Sequence, residues 1–180
     1  MTTTSQPAPP NPLWPNPLWS IAILTGFGLW WIIMGLNAIS ALSLSGLLAL
    51  LATATLMLAT GWQRFLRHPP ATPRPPANLR LYKQAVLAEI FGILLALIAA
   101  SLLQRPDIIP ALIGIVVGLH FLPLARAFSY PPHRVTGWAM TALCLTALAC
   151  LSGPTLIAVS ATGSGIVLWL SVMTTLLYRR

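Results

Sequence analysis

Two long stretches without a charge constrain this chain more than any other feature. Residues 20–61 and 136–178 contain no Asp, Glu, Lys or Arg. Each is about twice the ~20 apolar residues that a helix needs to cross a bilayer. Each therefore has to fold back once and make two crossings. Extended backbone is not an option in hydrocarbon, where every N–H and C=O must find its partner inside the protein. The first run is softest at Asn37-Ala38-Ile39-Ser40-Ala41-Leu42-Ser43, where Asn and Ser can cap and turn. The second is split by Ser152-Gly153-Pro154.

The rest of the composition agrees. Only 7% of the 180 residues are charged, against about 25% in a soluble domain, and the mean hydropathy is +0.81. Between the two long runs lie two further apolar segments. Residues 82–103 are interrupted only by Lys83, Gln84 and Glu89, and residues 107–128 follow a Gln104-Arg105-Pro106-Asp107 turn. The expected helices are 19–38, 43–62, 82–103, 107–128, 136–152 and 155–178. The expected fold is an all-α transmembrane bundle of six helices, built as three antiparallel hairpins.

Proline and arginine mark what lies outside the membrane. Residues 1–18 are uncharged and rich in proline, which suits neither helix nor sheet, and read as a flexible tail. Residues 63–81 carry Arg64, Arg67, His68, Arg74 and Arg80 among five prolines and read as a basic linker. The linker separates the 19–62 hairpin from the four-helix remainder at 82–180. Orientation follows from the basic residues. Arg64, Arg67, Arg74, Arg80, Lys83, Arg126, Arg134, Arg179 and Arg180 fall at one end of the six helices, and Arg105 alone at the other. Both termini are therefore expected in the cytoplasm. Trp19, Trp62, Tyr82, Tyr130, Trp138 and Tyr178 fall at the same end, as an aromatic belt should.

The net charge of +8 fits a different partner from the usual one for a basic protein. No nucleic-acid-binding pattern accompanies it, and the charges sit at helix ends, where anionic lipid would meet them. Cys144 and Cys150 are six residues apart in one apolar segment, about 240° around a helix, so they cannot bridge each other. No zinc-ligand spacing is present, and neither a metal nor a cofactor is expected.

One polar pair stands out inside the apolar segments. Glu89 is the only glutamate, and His120 the only histidine within an expected span; His68 and His133 are expected in loops. Reflecting Glu89 through a turn at residue 105 lands within about one residue of His120, ~1.5 Å in depth. Measured from Tyr82 and Tyr130 the depths differ by ~4.5 Å. Arg126, nearer the helix end, is the competing partner. Glu89 lies in a stripe of small residues, Ala85, Gly92, Ala96 and Ala99, where membrane helices approach closely. On the next helix Gly114 and Gly118 form a G-x-x-x-G. His120 points about 200° from Gly118, toward a different neighbour. Pro123 falls three residues on and is expected to bend that helix.

The stretch Gly118-Leu119-His120-Phe121-Leu122-Pro123-Leu124-Ala125 resembles a motif of small bacterial multi-pass membrane proteins of unassigned function. The resemblance covers about a tenth of the chain. It implies a bacterial inner-membrane protein and brings no activity with it.

Two functions follow as expectations. The first is a scaffold, assembly or pH-responsive regulatory subunit, in which the Glu89–His120 contact fixes helix register and the tail and basic linker meet a protein partner or a second copy. The alternative is a small proton-linked transporter, with Glu89 and His120 carrying the proton and Asn37, Ser160, Thr162 and Ser164 lining a path. An intramembrane enzyme is disfavoured, because no H-E-x-x-H, G-x-S-x-G or carboxylate pair occurs.

Overall fold

Helix ends in this chain are set by short capping motifs, several of them without the glycine that usually signals one. The computed structural model describes residues 17–67 and 78–177. Among them are six α-helices and no strand: α1 (Pro17–Ala38), α2 (Leu44–Arg67), α3 (Leu79–Leu102), α4 (Ile109–Ala127), α5 (Pro132–Cys150) and α6 (Gly153–Leu177), with a single 3₁₀ turn at Pro106–Ile108 before α4. The ends of α1, α3 and α4 share one closure. Ser40, Gln104 and Ser129 adopt left-handed φ values of 54°, 52° and 51°. The next amide then reaches back five residues, Ala41 to Leu36, Arg105 to Ala100 and Tyr130 to Ala125, each at 2.9 Å. Ser43 caps α2 through Gly46 N–H at 3.0 Å, and Asn78 caps α3 through Leu81 N–H at 2.9 Å.

Several boundaries differ from the sequence reading. α2 runs on to Arg67, placing Arg64 and Arg67 in its last turn, where cations suit the helix dipole. α3 begins at Leu79, so the segment read as a linker is helical at both ends; its centre, 68–77, lies outside the described residues. The tail at 1–16, Tyr178, Arg179 and Arg180 lie outside them too. α5 starts at Pro132, four residues before the expected 136, because proline is pre-shaped for the first helical position. His133 is therefore helical, not part of a loop.

Five helices are long and apolar enough to cross a membrane: α1, α2, α3, α6, and α4 with its preceding turn. α5 is the exception, with Pro132, His133 and Arg134 in its first turn.

α6 is the axis of the packing. α1 makes the most extensive contact with it, while α5 and α4 pack on it from the other side. Gly28 of α1 lies against Gly165 and Trp169, and Gly35 against Thr162 and Ala158. Trp169 Nε1–H donates to the Thr25 carbonyl at 3.1 Å. The first and last helices are thus joined over most of their length. α2 leans mainly on α1, and α3 on α4, so these two are the peripheral helices. Their outer faces are leucine-rich and exposed, as lipid-facing surfaces are.

α4 and α5 also meet backbone to backbone. A Cβ on Gly137 would stand 2.7 Å from the Gly118 carbonyl, and one on Gly118 would stand 2.9 Å from the Gly137 carbonyl. Only glycine lets these backbones meet. That crossing fixes the rotation of α4 and turns His120 away from α5, toward α3.

A candidate proton-holding site between two helices

α3 and α4 meet along a line of small contacts. Tyr82 packs edge-on to Phe128, with ring centroids 5.7 Å apart. Gly92 receives Val116, and Ala100 joins Ile108 and Ala111 in the core at the far end. His120 fills the interval between the first two. Its Nδ1 lies 3.0 Å from the Ala85 carbonyl oxygen, and its Nε2 lies 3.6 Å from Glu89 Oε2. The imidazole side chain is 10% exposed and the carboxylate side chain 25%.

The carbonyl decides the tautomer. An amide oxygen only accepts, so Nδ1 must carry a hydrogen. In a regular helix the Ala85 carbonyl also accepts the Glu89 amide, and its second lone pair takes the histidine. Nε2 is left to deal with the carboxyl group alone. Two states satisfy it. An imidazolium faces a carboxylate, or a neutral imidazole faces a protonated carboxyl. Both hold one proton between Nε2 and Oε2. Without that proton a nitrogen lone pair would face a negative carboxylate in a poorly solvated place, which is unfavourable. The contact is therefore a holder for one proton, and it exists only while α3 and α4 are docked.

The other expected residues lie elsewhere. Arg126 is exposed in the last turn of α4, six residues or ~9 Å along the helix from His120. Among the described residues the ion-pair partner of Glu89 is His120. Asn37 is exposed at the far end of α1. Ser160 is fully buried and donates to the Leu156 carbonyl of its own helix at 2.6 Å. Ser164 is also buried and lies 3.3 Å from Cys144 Sγ, on the α5 side. Thr162 sits against Gly35 of α1, about 200° around α6 from Ser160. Ser160 and Ser164, four residues apart, share a buried face of α6, whereas Thr162 faces α1 and Asn37 lies exposed at the far end of α1. Cys144 is buried and Cys150 exposed, and both are free thiols. α4 continues through Pro123, which cannot donate to the Leu119 carbonyl.

Two residues carry more than the sequence reading gave them. Asp107 Oδ2 accepts from the Gly153 amide at 3.0 Å and from Arg105 at 2.8 Å, so the α3–α4 turn caps the start of α6. His133, in the first turn of α5, wedges its ring between Phe121 (centroids 5.3 Å apart) and Tyr130 (4.7 Å). Its Nδ1 is buried with no hydrogen-bond partner. The same Phe121 lies edge-on to His120. Trp138, five residues further along α5, is more than half exposed. Burial, and then the charge of His120, push the His133 imidazole down to about 4. The sequence does carry a signal for it: Pro132 opens a helix, and the next residue then faces inward or outward with that helix.

Comparison of the chain with protein-family models, curated proteins and solved structures finds no match to any of them. The class is set by the fold itself: an all-helical membrane protein.

Proposed function

We propose that this chain is a pH-responsive regulatory or assembly subunit of a bacterial inner membrane. In this reading all six helices cross the membrane as three antiparallel hairpins. Both termini and the basic linker face the cytoplasm and contact anionic lipid, and the peripheral faces meet a protein partner or a second copy. The observation that carries the proposal is the grip of α3 on both nitrogens of His120, at 3.0 Å and 3.6 Å. α3 is a peripheral helix, so its docking is the step that a single proton can bias. Deprotonating the contact weakens docking, and docking favours keeping the proton.

The test uses nitroxide labels at the exposed positions Leu87 on α3 and Leu119 on α4, in a Cys144→Ala/Cys150→Ser background reconstituted in liposomes. The α3–α4 distance should lengthen as pH rises in the wild type. In Glu89→Gln it should stay short at every pH, because the amide can donate to Nε2 permanently. A distance independent of pH in the wild type would sink the proposal.

A second reading, the proton-linked transporter, is favoured by one feature: the Glu89 side chain is a quarter exposed, so the proton is not sealed in. Proton uptake by the same liposomes, abolished in Glu89→Gln, would support it. Ser160 spends its hydroxyl on its own helix, Ser164 lies against Cys144 and Thr162 against Gly35, which argues for the regulatory reading.

A further inference from the structure

We infer that His133 is a second protonation site, which holds the basic ends of α4, α5 and α6 together while neutral and lets them part when charged. This deepens the pH-responsive reading but rests on a different residue, so either can fail alone.

Phe121 belongs to α4, Tyr130 to the α4–α5 turn and His133 to α5, and the imidazole touches both aromatic rings. Tyr130 in turn donates its hydroxyl to Thr175 Oγ1 of α6 at 3.3 Å, and Thr175 donates to the Ser171 carbonyl at 2.9 Å. Three helices and a turn therefore converge on one imidazole. The backbone repeats the pattern, with His133 N–H donating to the Tyr130 carbonyl at 3.2 Å.

The junction suits a neutral ring and not a charged one. An imidazolium carries two N–H donors that need acceptors. Nδ1 is buried without a partner, and the hydroxyl of Tyr130 is used on Thr175. The groups that face His133 do not compensate a positive charge. From α4 it meets His120, itself part of a proton-holding contact, with Arg126 exposed further along. From its own helix it has Arg134, exposed beside it. From α3 the carboxylate of Glu89 lies behind His120 and is engaged by it, and Lys83 is exposed. From α6, among the described residues, the junction receives the Thr175 hydroxyl, through Tyr130. The depressed titration of His133, with burial as its main cause and His120 as the second, agrees with this geometry. Charging His133 puts a hydrogen on Nδ1 with no acceptor in the closed junction, and water supplies one when α5 swings away from Phe121 and Tyr130.

The test labels Val135 on α5 and Leu177 on α6, both exposed, in the cysteine background given above, and measures their distance in liposomes. A longer-distance population should grow as pH falls from 6.5 toward 4 in the wild type. It should be absent in His133→Phe, which keeps a ring in the slot without a proton site. His133→Gln is the second variant, should phenylalanine misfold, and it should be equally insensitive to acid. The opening should persist in Glu89→Gln, whose effect is confined to the Leu87–Leu119 pair. A wild-type distance unchanged down to pH 4, or the same acid opening in both His133 variants, overturns the inference.

Discussion

One carbonyl oxygen determines what Glu89 and His120 can do together. Because the Ala85 oxygen claims Nδ1–H, the proton shared with Glu89 has to lie between Nε2 and Oε2, and the pair cannot satisfy itself by switching tautomer. Replacing Glu89 by alanine removes the acceptor and leaves Nε2 facing an apolar gap. We expect a loss of about 1 kcal/mol, the usual scale for a polar contact between membrane helices, read as a lower midpoint of thermal unfolding in detergent. Glu89→Gln should cost less than the alanine variant. His133 obeys a different rule. Its folded-state titration near 4 lies below the ordinary value of about 6.5. The unfolded chain therefore takes up the proton first. The stabilising contribution is fully present above pH 6.5 and is lost as pH falls toward 4, by an amount on the order of 3 kcal/mol. Thermal unfolding from pH 7 to pH 4.5 should show a steeper loss in the wild type than in His133→Phe.

At the level of helices, the contrasts among glycines and turns are the most testable. Gly118 and Gly137 sit where two backbones cross, whereas a Cβ on Gly26 of α1 would have nothing within 4 Å. Gly137→Val should unfold or displace α5 at a cost of several kcal/mol, beyond the 1–3 kcal/mol of ordinary overpacking. Gly26→Ala should be neutral. The two variants, compared by yield and by melting in the same detergent, separate packing from helix propensity. Gln104 offers the opposite case. It holds a left-handed φ of 52° that costs a non-glycine residue about 1 kcal/mol, so Gln104→Gly should raise stability by a similar amount. Asp107→Ala should lower it, because the Gly153 amide loses its acceptor. α3 is legible in the sequence as a helix, and its small-residue stripe as the face that meets protein. That its main neighbour is α4 is not legible, because small residues admit any partner.

For the whole molecule, the arrangement around α6 separates a central group of helices from two peripheral ones. α1, α4, α5 and α6 share the buried cluster of Trp31, Phe121, Met140, Ala161 and Leu168, while α2 and α3 flank it on either side. Trp19, Trp62 and Trp138 are each more than half exposed, as headgroup-seeking side chains are, and they mark the same end of α1, α2 and α5. Reporter fusions placed after Gly153 and after Arg180 should therefore report opposite sides of the membrane, with the C-terminal one cytoplasmic.

What the sequence determined by itself is the part governed by solvent. The length of the uncharged runs, the scarcity of charge and the prolines around the basic segment dictate helices in a bilayer, since a helix satisfies its own backbone hydrogen bonds there and a closed barrel needs short segments of alternating polarity. Even the similar depth of Glu89 and His120 follows from a fixed rise per residue about one turn. What only the tertiary structure decided is rotation and partnership: that α1 lies on α6, that Gly118 against Gly137 turns His120 onto α3, that Arg126 stays outside, and that His133 closes a junction instead of ending a loop. Helix periodicity sets which residues share a face. In lipid, where apolar side chains gain little by choosing one neighbour over another, steric fit at a few glycines decides which helix that face will meet.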